Sequence, residues 1–306
     1  MMATSKRKNP DEQSDARERR SQADLQWTIN RRRPVIGDVT CWIQMKLTTA
    51  DKKIIEAIDL VGRGSDDFPS FIKNPKFDPL SDGIARRIKL NDVEEICRFG
   101  CLGGRIAWNQ FLADPDGQYP ALWHLCLTQF AINDSELIDA ILKVPSRPRS
   151  ERTEVTYPGF YYDLGELFFS IARSDASASE RACKKVGTKK LTSSDAAEAA
   201  CLIAIHNRDS TAFSNALNEH LKCLRRVRQI NPEYKLINIV AIGLFAFAHY
   251  IDPSVVTQFD TNSPLPWDNE FWAYRCNGKQ AIETIDQSQL TGDDRLKLKI
   301  HEFRDM

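Results

Sequence analysis

Apolar residues return along most of this chain at intervals of three and four, the spacing of one buried helix face. Thr49 is a capping residue, and Ile54, Ile55, Ile58 and Val61 follow it before Gly62 and Gly64 end the run. Pro69, Pro75 and Pro79 predict a loop over Asp67 to Pro79. A long helical pattern then runs from about Asp82 to Leu112, with Val93, Ile96, Cys97, Cys101, Ala107, Trp108 and Phe111 on its apolar face. Gly100, Gly103 and Gly104 lie inside it, each at a cost of ~1 kcal/mol in helix propensity. Either Gly100 and Gly104 open one face to close helix contact, or Gly103-Gly104 separates two helices.

Pro120 suits the first turn of a helix through Ala131. Asn133 is placed to cap the next, with Glu136 closing a capping box and Ile138, Ile141 and Leu142 on the buried side. Pro145 to Thr156 carries two prolines and five charges, and reads as a linker or long exposed loop. Beyond it the pattern is more regular. Phe160, Tyr161, Leu164, Leu167, Phe168 and Ile171 share helical spacing, and a short helix from about Ser179 to Val186 follows. Asp195 with Glu198 forms a second capping box, and that helix should stop near Asn207. Asp209 or Ser210 caps the next, whose face is Phe213, Leu217, Leu221 and Leu224. Asn231 and Pro232 begin another, with Leu236, Ile237, Val240, Leu244 and Phe247 inside. Connections this short force antiparallel neighbours.

The expected fold is all-α, an irregular array of antiparallel helical hairpins with no fixed repeat length. Residues 1–20 read as a disordered tail, 21–150 as an N-terminal helical region and 151–306 as a C-terminal one, or one body with the former. Gln280 to Ile285 and Arg295 to Phe303 are candidate short helices.

Composition narrows the function classes. Among 306 residues, 42 Lys plus Arg balance 42 Asp plus Glu, so the chain lacks the basic excess of a generic nucleic-acid or anionic-lipid binder. The first 33 residues hold a mild basic excess, which reads as a solvated arm. The longest apolar run, Leu236 to Tyr250, is interrupted by Asn238 and His249 and falls short of a ~20-residue membrane span. No apolar segment follows the charged N-terminus in the manner of a signal peptide, so a cytoplasmic location is expected. The eight cysteines lie mostly in apolar or helical patterns without a CxxC pair, and read as free thiols rather than a disulfide or zinc framework.

Candidate chemistry is sparse. HExxH, GxSxG and a phosphate-binding glycine loop are all missing, and no catalytic residue, metal ligand or cofactor is assigned. His124 and Cys126, two apart, point away from each other on a helix. Asp163, Glu166, Glu198, Glu219 and His220 are the groups an inter-helix cleft would gather for acid–base work. Lys184, Lys185, Lys189, Lys190 and the run from Lys222 through Arg225 and Arg226 to Arg228 form basic clusters suited to an acidic protein partner. Nucleic acid is disfavoured there because no aromatic platform interleaves the charges. Pro264, Pro266, Trp267 and Trp272 form the most unusual local feature: one indole should anchor the loop in the core, and the other, if exposed, serves as an interface anchor. Tyr161 and Tyr162 face different sides of their helix, leaving Tyr162 as a further contact candidate.

The succession Ala196-Ala197-Glu198-Ala199-Ala200, Ile203-Ala204, Asp209, Phe213, Ala216-Leu217, His220 and Arg225-Arg226 resembles the helical core of immunity protein family forty-nine, a bacterial family of polymorphic toxin systems. The next helix, with Ala241, Leu244, Ala246 and Ala248, is similar to that family's apolar helix. The resemblance spans roughly Tyr157 to Pro266 and rests on small apolar residues at helical spacing; the segment around Trp267 has no counterpart in it. It implies a cytoplasmic antidote that binds and neutralises a cognate toxin by steric occlusion, without chemistry of its own.

The leading expectation is therefore a helical protein-binding module with partner contacts among Tyr162, Lys222, Arg225, Arg226, Trp267 and Trp272. The alternatives are a hydrolase or other enzyme using acidic and His residues between helices, and a helical scaffold. A histidine held by an oriented acid favours the enzyme; a broad exposed patch around Trp267 or Trp272 favours binding.

Overall fold

Short polar side chains set most helix ends in this protein. The computed structural model describes residues 80, 83–84, 87, 92–147, 159–226, 237–261, 267–285 and 300, without the side chains of 224–226. The helix and loop expected over 49–79, most of the linker expected to end at Thr156 and the helix expected from Arg295 lie outside these residues. Along the chain come α1 (Glu94–Ala113), α2 (Pro115–Gln118), a 3-10 turn (Tyr119–Ala121), α3 (Leu122–Ile132), α4 (Ser135–Leu142), α5 (Gly159–Ala172), α6 (Ala176–Gly187), α7 (Ser193–Asn207), α8 (Ser210–Arg226), α9 (Ile239–Ile251), a 3-10 turn (Pro253–Val256), α10 (Asn269–Cys276) and a last 3-10 turn (Ala281–Thr284). The fold is all-α, and no strand occurs among the described residues.

Several ends differ from expectation, each for a local reason. The long pattern from Asp82 is broken before Glu94, where the Asp92 carboxylate accepts the Glu94 N–H at 2.9 Å and starts a new helix. Asn133 does not cap α4. It closes α3 in the left-handed conformation, φ 64°, which Asn tolerates, and Asp134 caps α4 by accepting from Leu137 N. Helix α7 begins three residues before the expected box because Thr192 caps it, accepting from the Asp195 N–H. Glu198 is thereby freed from capping. Helix α9 starts at Ile239, not near Asn231, since the Asn238 side chain accepts from Ala241 N and fixes the first turn there. Residues 227–236, which precede that cap, lie outside the described residues; Arg208 and Asp209 alone join α7 to α8.

The glycines of α1 do not break it. They admit α3: a Cβ on Gly104 would meet the Gln129 amide at 2.5 Å, and one on Gly100 would meet Ile132 at 3.0 Å. On another side α3 packs against α9, where a Cβ on Gly243 would lie 2.2 Å from the Leu127 carbonyl oxygen. Trp123, Cys126, Leu127 and Phe130 of α3 are buried together with Ala241, Ile242, Leu244, Ala246 and Phe247 of α9. The pairs α5–α6 and α7–α8 pack as hairpins beside this centre. A single apolar cluster runs from Ile84 to Ile285.

Residues 267–285 are fastened onto the first described helices by polar contacts. Arg87 Nε donates to Asp268 at 3.1 Å, Lys279 Nζ to Glu94 at 2.6 Å, Arg98 Nε to the Thr284 carbonyl at 3.1 Å, and Arg275 Nε to the Phe130 carbonyl at 3.1 Å.

Gly243→Ala tests the α3–α9 crossing. The added methyl meets backbone rather than a side chain that can swing away, so the urea-unfolding free energy should fall by about 2 kcal/mol despite alanine's better helix propensity. An unchanged midpoint would show that the helices separate freely.

Candidate functional site

The acids that sequence placed in a common cleft are distributed among separate helix contacts. Asp163, 1% exposed in α5, accepts from Lys185 Nζ at 2.6 Å and Lys189 Nζ at 3.3 Å, tying α5 to the end of α6. Glu166 accepts from the Tyr119 hydroxyl at 2.8 Å. Glu219 accepts from the Cys223 thiol, 3.4 Å away on its own helix. Only Glu198 and His220 meet, and a group the acid list omitted, His124, joins them.

Glu198 lies in the alanine-rich first half of α7, with Ala197, Ala199 and Cys201 buried around it. Its Oε2 is 2.9 Å from His124 Nε2 on α3, and its Oε1 is 3.8 Å from His220 Nδ1 on α8. Three helices thus converge on one carboxylate. The His124 ring is 28% exposed, against 9% for the Glu198 side chain and 1% for His220. Trp123 packs on His124 at a centroid distance of 3.9 Å and Tyr161 meets it edge-on at 5.4 Å, which fixes the imidazole from two sides. Neither ring nitrogen of His220 closes a hydrogen bond of normal geometry among the described residues. The Ser194 backbone and the Asn238 side chain nevertheless lie near enough to favour its charged form.

The electrostatics follow from burial and these neighbours. Burial opposes the charge on Glu198, yet the charge and hydrogen bond of His124, helped by His220, carry its pKa below the ordinary carboxylate value. For His220 burial dominates and lowers the pKa, against the upward pull of Glu198, while His124 adds to the lowering. The result is a carboxylate held charged beside a deeply buried imidazole held neutral.

No comparable activation exists at the thiols. Burial pushes Cys97 up to about 12 and Cys183 up to about 11, and raises Cys101, Cys126 and Cys201 as well. All seven described cysteines are free. Among the described residues no three His, Cys, Asp or Glu are arranged to hold a metal ion. No described helix is long and apolar enough to cross a membrane.

The partner-contact candidates are scattered. Trp267 is 2% exposed and packs with Phe245, Phe259 and Trp272, so it is the indole that anchors the core. Trp272 is half-buried, edge-on to Phe245 at 4.7 Å and covered by the Arg275 guanidinium at 5.2 Å. Tyr162 is half-buried, and its hydroxyl donates to the Arg147 carbonyl. Lys222 is exposed on α8; Arg225 and Arg226 lie in that helix's last turn, and their side chains are outside the described set. Among the described residues, α6 and its exit concentrate exposed positive charge: Arg181, Lys184, Lys185, Lys189 and Lys190 are all exposed, and residues 181–190 contain no acid. The Lys185 and Lys189 ammonium groups are held in place by buried Asp163.

The His124–Glu198 contact joins residues 74 apart, so no local motif announces it. The one hint was an acid, Glu198, set in a run of alanines, where a surface carboxylate would have no reason to be flanked by buried small residues. Compared with known protein families, curated proteins and solved structures, the chain matches none.

The cluster makes stability fall in acid. His220 is held below its ordinary 6.5, so the unfolded chain takes its proton first, and stability present above that value drains as pH drops through it. Glu198, held below its ordinary 4.5, adds a second loss further down. Urea midpoints should decline across this range. Glu198→Ala should cost about 2 kcal/mol at neutral pH, because it removes the His124 hydrogen bond and leaves the junction of three helices underfilled. A pH-independent midpoint in the wild-type protein would contradict this account.

Proposed function

We propose that this protein is a helical binding module that meets an acidic protein partner through the basic end of α6. The carrying observation is the acid-free run of exposed Arg181, Lys184, Lys185, Lys189 and Lys190, with Lys184 paired to exposed Glu180 at 3.0 Å and Lys185 and Lys189 held by Asp163. A fixed ammonium loses less side-chain freedom on binding than a free one, and a patch of one sign steers an oppositely charged partner. Exposed Lys222 adds a basic position on α8. The engagement of Asp163, Glu166 and Glu198 in helix contacts supports a body whose buried charges hold it together, leaving the surface for recognition. The finer reading is an immunity protein that blocks a cognate toxin by occlusion. It rests on the resemblance of the α7–α9 sequence to immunity protein family forty-nine and needs no reactive centre in this chain.

An acid–base enzyme is the second reading, favoured by the His124–Glu198 contact. A partly exposed imidazole oriented by a buried carboxylate is the arrangement general-base chemistry uses. His124→Gln would abolish such an activity while leaving partner binding intact.

The test is charge reversal at Lys184 and Lys190, which spares the two lysines that hold Asp163. Lys184→Glu/Lys190→Glu protein should retain its helical circular dichroism and urea midpoint. Its capture of the dominant partner from the native host should fall about tenfold, as should wild-type capture in about 0.5 M salt. Equal capture by wild-type and reversed protein would remove α6 from the interface.

A further inference from the structure

The geometry of the three-helix junction points to a conformational device independent of either functional reading. We propose that His124, Glu198 and His220 form an acid-sensitive latch, which holds α8 against α7 at neutral pH and lets the two part when His220 takes up a proton.

The hairpin's layout makes the opening local. Arg208 and Asp209 join α7 to α8 at one end, with Arg208 in the left-handed conformation and Asp209 capping α8 through the Ala212 N–H. Glu198 lies in the early part of α7 and His220 in the late part of α8, so their contact closes the hairpin at the end away from the turn. Nearer the turn the grip is apolar: Leu202 and Ile205 of α7, and Phe213 and Leu217 of α8, are all fully buried. Leu221 and Cys223 beyond the latch are buried too, but His220 itself has only the carboxylate at 3.8 Å and no closed hydrogen bond among the described residues. A proton on His220 places a cation in a site with 1% exposure, whose one counter-charge among the described residues already serves His124. Water reaches that cation most cheaply if the late part of α8 lifts away.

The described groups that act on His220 come from three neighbouring helices. From α7 comes Glu198, with the Ser194 backbone; from α3 comes His124; from the start of α9 comes uncharged Asn238. The titratable groups of α9, His249 and Tyr250, lie exposed at its other end. The 3-10 turn over Pro253–Val256 meets α8 near its beginning, where Gln258 bonds Thr211 and Ser214. On α8 itself Glu219 is engaged by Cys223, and Lys222 is exposed. Among the described residues, the one anion beside His220 is thus shared with His124.

Amide hydrogen exchange on the full chain tests the latch, with rates corrected for intrinsic pH dependence. Between about pH 7.5 and about pH 5.5, amides over residues 215–226 should lose up to about tenfold protection relative to those of α4, the limit that one histidine with an ordinary open-state pKa allows. His220→Gln should make the protection independent of pH, and His249→Gln should behave as wild type. Uniform loss over the whole protein, no loss, or the same local loss in His220→Gln would each overturn the proposal. Should His220→Gln not fold, the wild-type His220 ring resonance decides. A titration coincident with the local loss of protection supports the latch; a ring that stays neutral while α8 opens, or titrates while it stays closed, refutes it.

Discussion

The structure depends on how closely other helices can approach α3. That helix is apolar on most of its circumference, with Leu122, Trp123, Cys126, Leu127, Phe130, Ala131 and Ile132 all buried, and so needs cover on several sides. Gly100 and Gly104 of α1 supply it on one side and Gly243 of α9 on another, each where a methyl would strike α3. Gly165 of α5 adds a third approach, with Trp123 3.2 Å from where its Cβ would lie. Interiors are packed at crystal-like density, so a glycine at such a crossing contributes contact between backbones that a larger residue prevents. The helix propensity sacrificed inside α1 and α9 is offset by the apolar area that close approach removes from water.

Once the helices are drawn this near, polar side chains caught between them must be paired. Asp134 shows how economically this is done. It caps α4, accepts from Arg105 at 3.3 Å and receives the Cys101 thiol at 3.3 Å, so one carboxylate serves a helix start, an ion pair and a buried thiol. Asp163 does the same for α5 and α6, and Glu198 for α3, α7 and α8. These carboxylates specify which helices meet and in what register more than they add net stability, because desolvation consumes most of the attraction in a buried pair. Gln129 and His220 are exceptions: neither the amide atoms of the first nor the ring nitrogens of the second close a hydrogen bond among the described residues.

Helix content was legible wherever apolar period and capping chemistry agreed. The extents of α5 and the end of α7 follow directly from Phe160 to Ile171 and from the polar stop at Asn207. The starts of α4, α7 and α9 were misplaced because several Asx and Thr residues compete at each, and the winner depends on which carboxamide or hydroxyl the tertiary contacts leave free. Asn133 is the clear case. Its side chain donates to the Lys279 carbonyl at 3.0 Å, a contact 146 residues away that removes it from capping duty. The glycine ambiguity in α1 had the same origin, since nothing local says that α3 lies across Gly100 and Gly104. The site was less legible still. His220 and Glu198 were both recognisable as polar residues on apolar helices, but His124 looked like a neighbour of Cys126 until the fold turned it toward α7.

The separation between buried and exposed charge carries the functional argument further than any single motif. At residues 181–190 cations are concentrated on the surface, and their one deep counter-charge, Asp163, comes from another helix. At the α3–α7–α8 junction the arrangement is reversed, with one anion inside and two groups able to become cations around it. The first arrangement keeps a net positive field outside the protein at any pH where lysine is charged, which suits recognition. The second gains positive charge when His220 is protonated, at a place hidden from a partner, which suits control of the fold. Helix α7 packs against both α6 and α8, so the basic surface and the proton-sensitive junction share one supporting element. Helix α6 rests chiefly on α5, so α7 is the lesser of its two supports and the only one of them that the proton-sensitive junction includes.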